Sequence, residues 1–137
     1  MPITNHVTSL ELSRRLKELK VPQKSVFYWT DGMRYDGNYD LVYLHAPLVK
    51  EGGGVINTVS AYLASELGEM LPEIPHYRLR IEKTGSSWDI EYRASCYDAP
   101  MGELVFACLE PSEADARAKM LIYLIENHLI SVMTFIK

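Results

Sequence analysis

An alternation of apolar and polar side chains across residues 77–96 constrains the fold more than any other feature of the sequence. Tyr77, Leu79 and Ile81 alternate with charged residues, and after residues 84–87 the alternation resumes and runs to Cys96. A period of two is typical of a strand that has one face in the core and one face in water. The segment therefore predicts two antiparallel strands of a half-buried sheet, joined by a turn at residues 84–87.

Other short segments rich in β-forming residues predict further strands. Residues 25–30 and 39–45 each precede turn or loop residues, and residues 104–109 are apolar on both faces. Because apolar residues on both faces indicate burial on both sides, we expect residues 104–109 to form a central strand. Three consecutive glycines at residues 52–54 lack the Lys-Ser/Thr of a phosphate-binding loop and predict only a flexible connection.

Three segments have the caps or the periodicity of helices. Thr8 and Glu11 fit a capping box at the start of a first helix. Residues 58–70 carry apolar side chains at helical spacing and predict a second helix. Ser112, with Asp115 three residues later, fits the start of a last helix. The predicted core face of this last helix consists of Ala114, Ala118, Leu121, Ile122, Ile125 and Leu129.

A chain of 137 residues has the usual length of one domain with one hydrophobic core. We therefore predict a single α+β domain over residues 1–137, in which an antiparallel sheet of four to six strands is accompanied by two or three helices. The C-terminal helix is expected to pack on one face of the sheet. Residues 130–137 are apolar enough to form a final strand or an association surface, so we also expect a homodimer or a higher homo-oligomer.

Charge and hydropathy argue against several classes of protein. The net charge of −4 is unlike that of a general nucleic-acid binder, which needs a basic surface. No apolar run reaches the roughly 18 residues that predict a membrane-spanning helix. The first residues also lack the basic start and the apolar stretch of a secretory signal. These features predict a cytoplasmic protein with no general affinity for nucleic acids or membranes.

The sequence offers little for catalysis or metal binding. Cys96 and Cys108 lie in predicted strands and lack C-x-x-C spacing, so we expect small buried residues rather than metal ligands. A nucleophilic triad would need Ser95 or Cys96 beside a base. The candidate bases are His45 and His76, and no G-x-S-x-G motif accompanies them. We therefore expect no enzyme activity, no metal ion and no cofactor.

Three arginines are expected on the outward face of the predicted hairpin. If residues 84–87 form the turn, Arg80 lies opposite Glu91, and Arg78 lies opposite Arg93. Like charges directly opposite each other destabilise a sheet, so this excess of positive charge calls for an explanation. One explanation is a solvated surface, since exposed charges interact weakly. The other is a site that binds an anion or an acidic partner and consists of Arg78, Arg80, Arg93 and Tyr97.

Three blocks of sequence carry a resemblance to known proteins. They are LASELGEMLP at residues 63–72, EADARAKMLIYLIEN at residues 113–127, and the opening helix followed by FYW at residues 27–29. These blocks resemble a family of small uncharacterised proteins from phages and prophages of gut bacteria. Because they consist mostly of helix caps and core residues, the resemblance implies a phage-related accessory role and no particular chemistry.

Taken together, these features lead to the hypothesis of a small, non-enzymatic binding protein of phage or prophage origin. The expected setting is counter-defence, either by blocking a host protein or by sequestering a small signalling nucleotide. A purified chain that retains a nucleotide would favour the second mechanism over the first. The alternative hypothesis is a structural or assembly accessory of the phage particle.

Overall fold

The computed structural model describes residues 3–30, 38–43, 58–71, 74, 77–86, 89–98 and 102–131 of the chain. The predicted features at residues 31–32, 52–54 and 132–137 lie outside these described residues. In chain order, the elements are the 3-10 helix Ile3–Asn5, α1 (Leu10–Glu18), β1 (Phe27–Thr30), β2 (Asp40–Tyr43), β3 (Thr58–Ala61), α2 (Ala64–Met70), β4 (Tyr77–Ser86), β5 (Asp89–Asp98), β6 (Glu103–Glu110) and α3 (Glu113–Glu126).

The first three strands form an antiparallel sheet in the order β2-β1-β3. Here the structure corrects the prediction of a helix over residues 58–70, because Thr58–Ala61 is a strand and α2 begins only at Ala64. Thr58 and Val59 are β-branched and favour extended backbone. All four residues of β3 are buried, and their backbone groups are satisfied partly by the pairing with β1. In addition, the Ser60 N–H donates to Gln23 Oε1 at 2.8 Å, and the Thr58 carbonyl oxygen accepts from Lys17 Nζ at 2.9 Å.

The last three strands form a second antiparallel sheet in the order β4-β5-β6. Its inner face, formed by alternate residues such as Leu79, Ala94 and Cys96, packs against α3. We call the opposite side of this sheet the outer face. The prediction that residues 104–109 form a central strand is wrong, since β5 is the central strand and β6 pairs only with β5 among the described strands.

Helix α3 is buried on two sides. Ala118 and Leu121 lie in one core cluster with Leu16 of α1 and Leu67 of α2. On the other side, a second cluster joins α3 to the inner face of the β4–β5–β6 sheet; its fully buried members are Ala94, Cys96, Ala116, Met120 and Leu124. Most of the predicted core face belongs to the first side, whereas Leu129 packs against the second cluster, whose buried residues of α3 were not predicted. Alanines in the first half of α3 permit close approach on both.

The start of α1 differs from the predicted capping box. Ser9 is the N-cap, and its hydroxyl accepts a hydrogen bond from the Leu12 N–H at 3.3 Å. Thr8 is instead fully buried, and its Oγ1 accepts a hydrogen bond from the Tyr62 N–H at 3.0 Å and lies 2.6 Å from Ser13 Oγ. Thr8 therefore satisfies buried polar groups next to the first sheet, while the neighbouring serine begins the helix.

A glycine inside α2 allows α3 to approach. A Cβ atom at Gly68 would lie 2.5 Å from Nη1 of Arg117 on α3, which is too close for two heavy atoms. Arg117 is held there by a hydrogen bond of 2.9 Å from its Nε to Glu113. Gly68 therefore costs helix propensity, by about 1 kcal/mol relative to alanine, but makes room for the end of the Arg117 side chain, whose ion pair with Glu113 lies within α3.

The α+β class, the antiparallel pairing and the packing of the C-terminal helix on a sheet are as predicted. The described residues contain three α-helices, as predicted, and six strands that form two three-stranded sheets. The predicted cap of the last helix is confirmed, because Ser112 Oγ accepts a hydrogen bond from the Asp115 N–H at 3.1 Å. Within the described part of the chain, no helix combines the length and the apolar character needed to cross a bilayer.

We predict that both sides of α3 are needed for stability. Leu121 and Met120 are fully buried in different clusters. Leu121→Ala and Met120→Ala should therefore each lower the free energy of unfolding by about 2–5 kcal/mol, through lost apolar burial and a residual cavity. Chemical denaturation of the two variants measures this loss. A loss below about 1 kcal/mol for either variant would contradict the two-sided packing of α3.

A second prediction concerns Asp115, whose Oδ1 accepts a hydrogen bond of 2.8 Å from the Ser9 N–H. Burial raises the pKa of this carboxyl above its ordinary value, although the bond from Ser9 opposes the shift. The folded chain thus keeps the proton to higher pH than the unfolded chain. The contribution of Asp115 to stability should fall as pH rises from about 3.9, the unfolded value, through the raised pKa.

The variant Asp115→Asn tests this dependence, because an amide oxygen can still accept the Ser9 hydrogen bond without carrying a charge. The free energy of unfolding of the variant, minus that of the wild type, should be greater at neutral pH than at about pH 3. Urea denaturation at both pH values measures the difference. An equal difference at the two pH values would show that burial does not disfavour the Asp115 carboxylate.

Candidate functional site

The outer face of the second sheet carries the arginines that the sequence singled out. Arg78 and Arg80 lie on β4 and Arg93 lies on β5, all on the side away from α3. The in-and-out alternation predicted for these strands is therefore observed. It follows from a period of two, which places every second residue of a strand on the same face.

The cross-strand partners of these arginines differ from the predicted ones. The structure corrects both predicted pairs, Arg80 with Glu91 and Arg78 with Arg93. The observed pairs on this face are Arg78 with Tyr97, Arg80 with Ser95, Glu82 with Arg93, and Thr84 with Glu91. The reason is that β4 continues to Ser86, which pairs with Asp89, so that the predicted turn began too early in the chain. The like-charge pair that motivated the site prediction does not exist.

The corrected register nevertheless brings three of the four predicted residues together. Arg78, Arg80 and Tyr97 line an open cleft of about 260 Å³ together with Gly102. The Gly102 N–H donates to the Asp98 carbonyl oxygen at 2.6 Å. Its φ of 68° lies in the left-handed region that favours glycine. Arg93 pairs with Glu82, two residues beyond Arg80 along β4, and does not line the cleft.

The two arginines of the cleft differ in their ion pairs. Arg80 Nε lies 3.2 Å from Glu82 Oε1, and about half of the Arg80 side chain remains exposed. Arg78 is exposed and has no ion-pair partner among the residues that the structure describes. A carboxylate or a phosphate group entering the cleft could therefore bind a guanidinium that is not already neutralised, beside the ring of Tyr97.

At the centre of the outer face, Ser95 forms no hydrogen bond through its side chain. The residue is fully buried, and its Oγ has no partner within the described part of the structure. A buried polar group without a partner costs about 1–3 kcal/mol, and such groups are rare in folded proteins. The sequence placed Ser95 on the polar side of the strand but contained no signal of its burial.

A column of apolar side chains lies along β6 on the outer face, next to Arg93 and Tyr97 of β5. Leu104 and Leu109 of β6 are 44% and 56% exposed, and Val105 and Ala107 between them are also exposed. A β-bulge between Cys96 and Tyr97 shifts the pairing of β5 with β6 at this end. Exposed apolar residues that form one contiguous patch are typical of an interaction surface. We call these four residues of β6 the apolar column.

Of the residues considered for catalysis, the structure describes only the two candidate nucleophiles, Ser95 and Cys96. Ser95 lies on the outer face and Cys96 on the inner face, while His45 and His76 lie outside the described residues. Cys96 and Cys108 are both free, and burial raises the pKa of each thiol, which disfavours the nucleophilic thiolate. Nowhere among the described residues do three His, Cys, Asp or Glu side chains gather as metal ligands would.

Comparison with known proteins finds no matching family model, no similar curated protein and no similar solved structure. The candidate site therefore depends on the geometry of the outer face alone. That face combines a basic cleft beside an aromatic ring, a buried hydroxyl without a partner, and an exposed apolar column.

We predict that the Ser95 hydroxyl does not stabilise the fold. Because its Oγ has no hydrogen-bond partner, Ser95→Ala should leave the free energy of unfolding unchanged or raise it by up to about 1–2 kcal/mol. Chemical denaturation measures the change, and Ser13→Ala is the matched control, since Ser13 Oγ lies 2.6 Å from Thr8 Oγ1 and should be needed. Equal destabilisation by the two substitutions would mean that Ser95 has a partner.

Proposed function

We propose that this chain is a non-enzymatic binding protein that engages an acidic group of a partner through the outer face of the β4–β5–β6 sheet. The observation that carries the proposal is the cleft in which Arg78 and Arg80 lie beside Tyr97. Tyrosine and arginine are enriched at protein interfaces because they combine large contact area with polar ends. The chain is acidic overall, with a net charge of −4, so a basic cleft is a local departure from its general charge.

A partner protein accounts for the outer face better than a nucleotide. Pockets that bind small molecules usually occupy about 300–1,000 Å³ and enclose most of the ligand. The open cleft of about 260 Å³ is smaller than this range and suits one carboxylate or phosphate group. The apolar column lies beside it on the same face and has no use in binding a phosphate, whereas an interface with a protein needs an apolar centre.

The biological setting of this binding follows from the resemblance to phage and prophage proteins. In that setting, the chain acts in the cytoplasm of a bacterial host, where it blocks a host protein as a counter-defence. Sequestration of a signalling nucleotide is the second mechanism, and it relies on the same arginines with Tyr97 as a stacking platform. A role as an assembly accessory of the phage particle is the alternative from another class, and co-purification with particles would favour it.

Charge reversal in the cleft tests the proposed function. Wild-type protein and the variant Arg78→Glu/Arg80→Glu serve as bait in lysate of a bacterial host, and bound proteins and nucleotides are identified by mass spectrometry. We expect the wild type to retain a partner that the variant binds about tenfold more weakly or loses, a change of roughly 1.4 kcal/mol or more. Binding should also weaken as salt is added, because exposed charges are screened.

The matched control changes the same number of charges away from the cleft. Lys24→Glu/Lys83→Glu alters two exposed lysines, one of which lies on β4 itself but not in the cleft. This control should bind like the wild type. If the cleft variant and the control lose the partner equally, or if neither loses it, the cleft is not the binding site. A retained nucleotide in place of a protein would favour the sequestration mechanism.

A further inference from the structure

The charges of the outer face follow an order that makes the face complementary to itself. Along β4, Arg80 is followed on this face by Glu82, and their cross-strand partners on β5 are Ser95 and Arg93. Consider a two-fold axis that lies parallel to the outer face and perpendicular to the strands, between these two pairs. Rotation about this axis places each of the two pairs opposite the other pair of a second copy. Under this rotation, a basic position of one copy faces an acidic position of the other, and the reverse pair forms at the same time.

We propose that a second copy of this chain covers the outer face by such a two-fold rotation, so that the two sheets pack face to face. Arg80 of each copy then lies opposite Glu82 of the second copy. Since Arg80 and Glu82 already form an ion pair within one chain, the two chains together form an alternating group of four charges. Charge complementarity of this kind sets both the orientation and the register of an interface.

The central strand is complementary under the same rotation. Ser95 lies opposite Arg93 of the second copy, so a small neutral side chain, and not a like charge, faces this arginine. Tyr97 lies opposite Glu91 of the second copy, so the phenol O–H can donate to a carboxylate.

Two residues of the apolar column, Ala107 and Leu109, also face each other across the axis. Ala107, paired with Ser95, lies opposite Leu109 of the second copy, because Leu109 is paired with Arg93. A small residue faces a large one at both positions, as is needed when two sheets pack about 10 Å apart. This contact removes from water the 56% of Leu109 that is exposed in one chain.

Two other arrangements of copies lack this complementarity. A rotation about an axis parallel to the strands and over β5 would place Arg80 on Ala107, a charged column on an apolar one. Antiparallel pairing of two β6 edges in full register would place Glu103 opposite Glu110, and like charges in direct opposition destabilise a sheet. The outer face therefore favours face-to-face packing across the strands.

This dimer would regulate the binding site, and that consequence rests on the proposed function. Arg80 lies both in the cleft and at the centre of the dimer contact. An acidic partner can then reach the cleft fully only after the second copy leaves. Self-association and partner binding are therefore alternatives, and the protein is released for binding as it is diluted or as the partner accumulates.

Charge-swap variants of the full chain test the dimer by sedimentation equilibrium across the micromolar range. The wild type should be a dimer, whereas Arg80→Glu and Glu82→Arg should each raise the dissociation constant about a hundredfold, because like charges would face each other across the axis. The double variant Arg80→Glu/Glu82→Arg should dimerise again. An equimolar mixture of the two single variants should form a heterodimer, since each then supplies the charge that the other lacks.

The mixture distinguishes an interface from a structural role of the ion pair within one chain, because mixing cannot restore an intrachain contact. Circular dichroism shows that each variant is folded, and Lys83→Glu serves as a control that should remain a dimer. A monomeric wild type, or a dimer that neither single substitution weakens, would overturn this inference. Loss of lysate partners from Arg78→Glu/Arg80→Glu alongside a monomeric wild type would leave the proposed function standing and reject only the dimer.

Discussion

The two-sided burial of α3 is the constraint on which the rest of the structure depends. One side of this helix closes a core with α1 and α2, and the other side covers the inner face of the β4–β5–β6 sheet. Small residues at Ala114, Ala116 and Ala118 make both approaches possible, since each lacks a long side chain that would hold the neighbouring layer away.

Because α3 covers only one face of its sheet, the opposite face is left to interact with solvent or with other molecules. That outer face is not a uniformly polar surface of the usual kind. It carries basic side chains on β4, a dry centre at Ser95 and the apolar column on β6. Arg80 contributes both to the cleft and to the self-complementary charge order. Partner binding and self-association, the two proposed uses of the face, therefore compete for the same contacts.

The sequence was sufficient where structure is determined locally. The period of two at residues 77–96 predicts which face of the sheet each side chain occupies. Ser112 caps α3, because its hydroxyl accepts a hydrogen bond from the Asp115 N–H. The alternation cannot predict strand register. Moving the turn by two residues changes every cross-strand pair but leaves every side chain on the same face. Arg78 therefore lies on the outer face as predicted, but its cross-strand partner is Tyr97 and not Arg93. The cleft could not be predicted without that pairing.

The remaining differences come from tertiary context. The apolar residues of 58–70 satisfy a helical spacing, but Val59 and its neighbours are buried on both faces of a strand, a state in which periodicity carries no information. Residues 104–109 are apolar on both faces for another reason, since one side packs on α3 and the other remains exposed in a single chain. Neither the edge position of β6 nor the burial of Ser95 has a local signature.

The bond between Ser9 and Asp115 joins residues 106 positions apart, and Leu16 packs against Leu121 across a similar span. On the ribosome, the first helix therefore emerges long before its partner exists. An isolated helix of 9 residues is only marginally stable in water, so α1 cannot persist until α3 has been made. Native packing of α1 is thereby deferred until α3 has been synthesised.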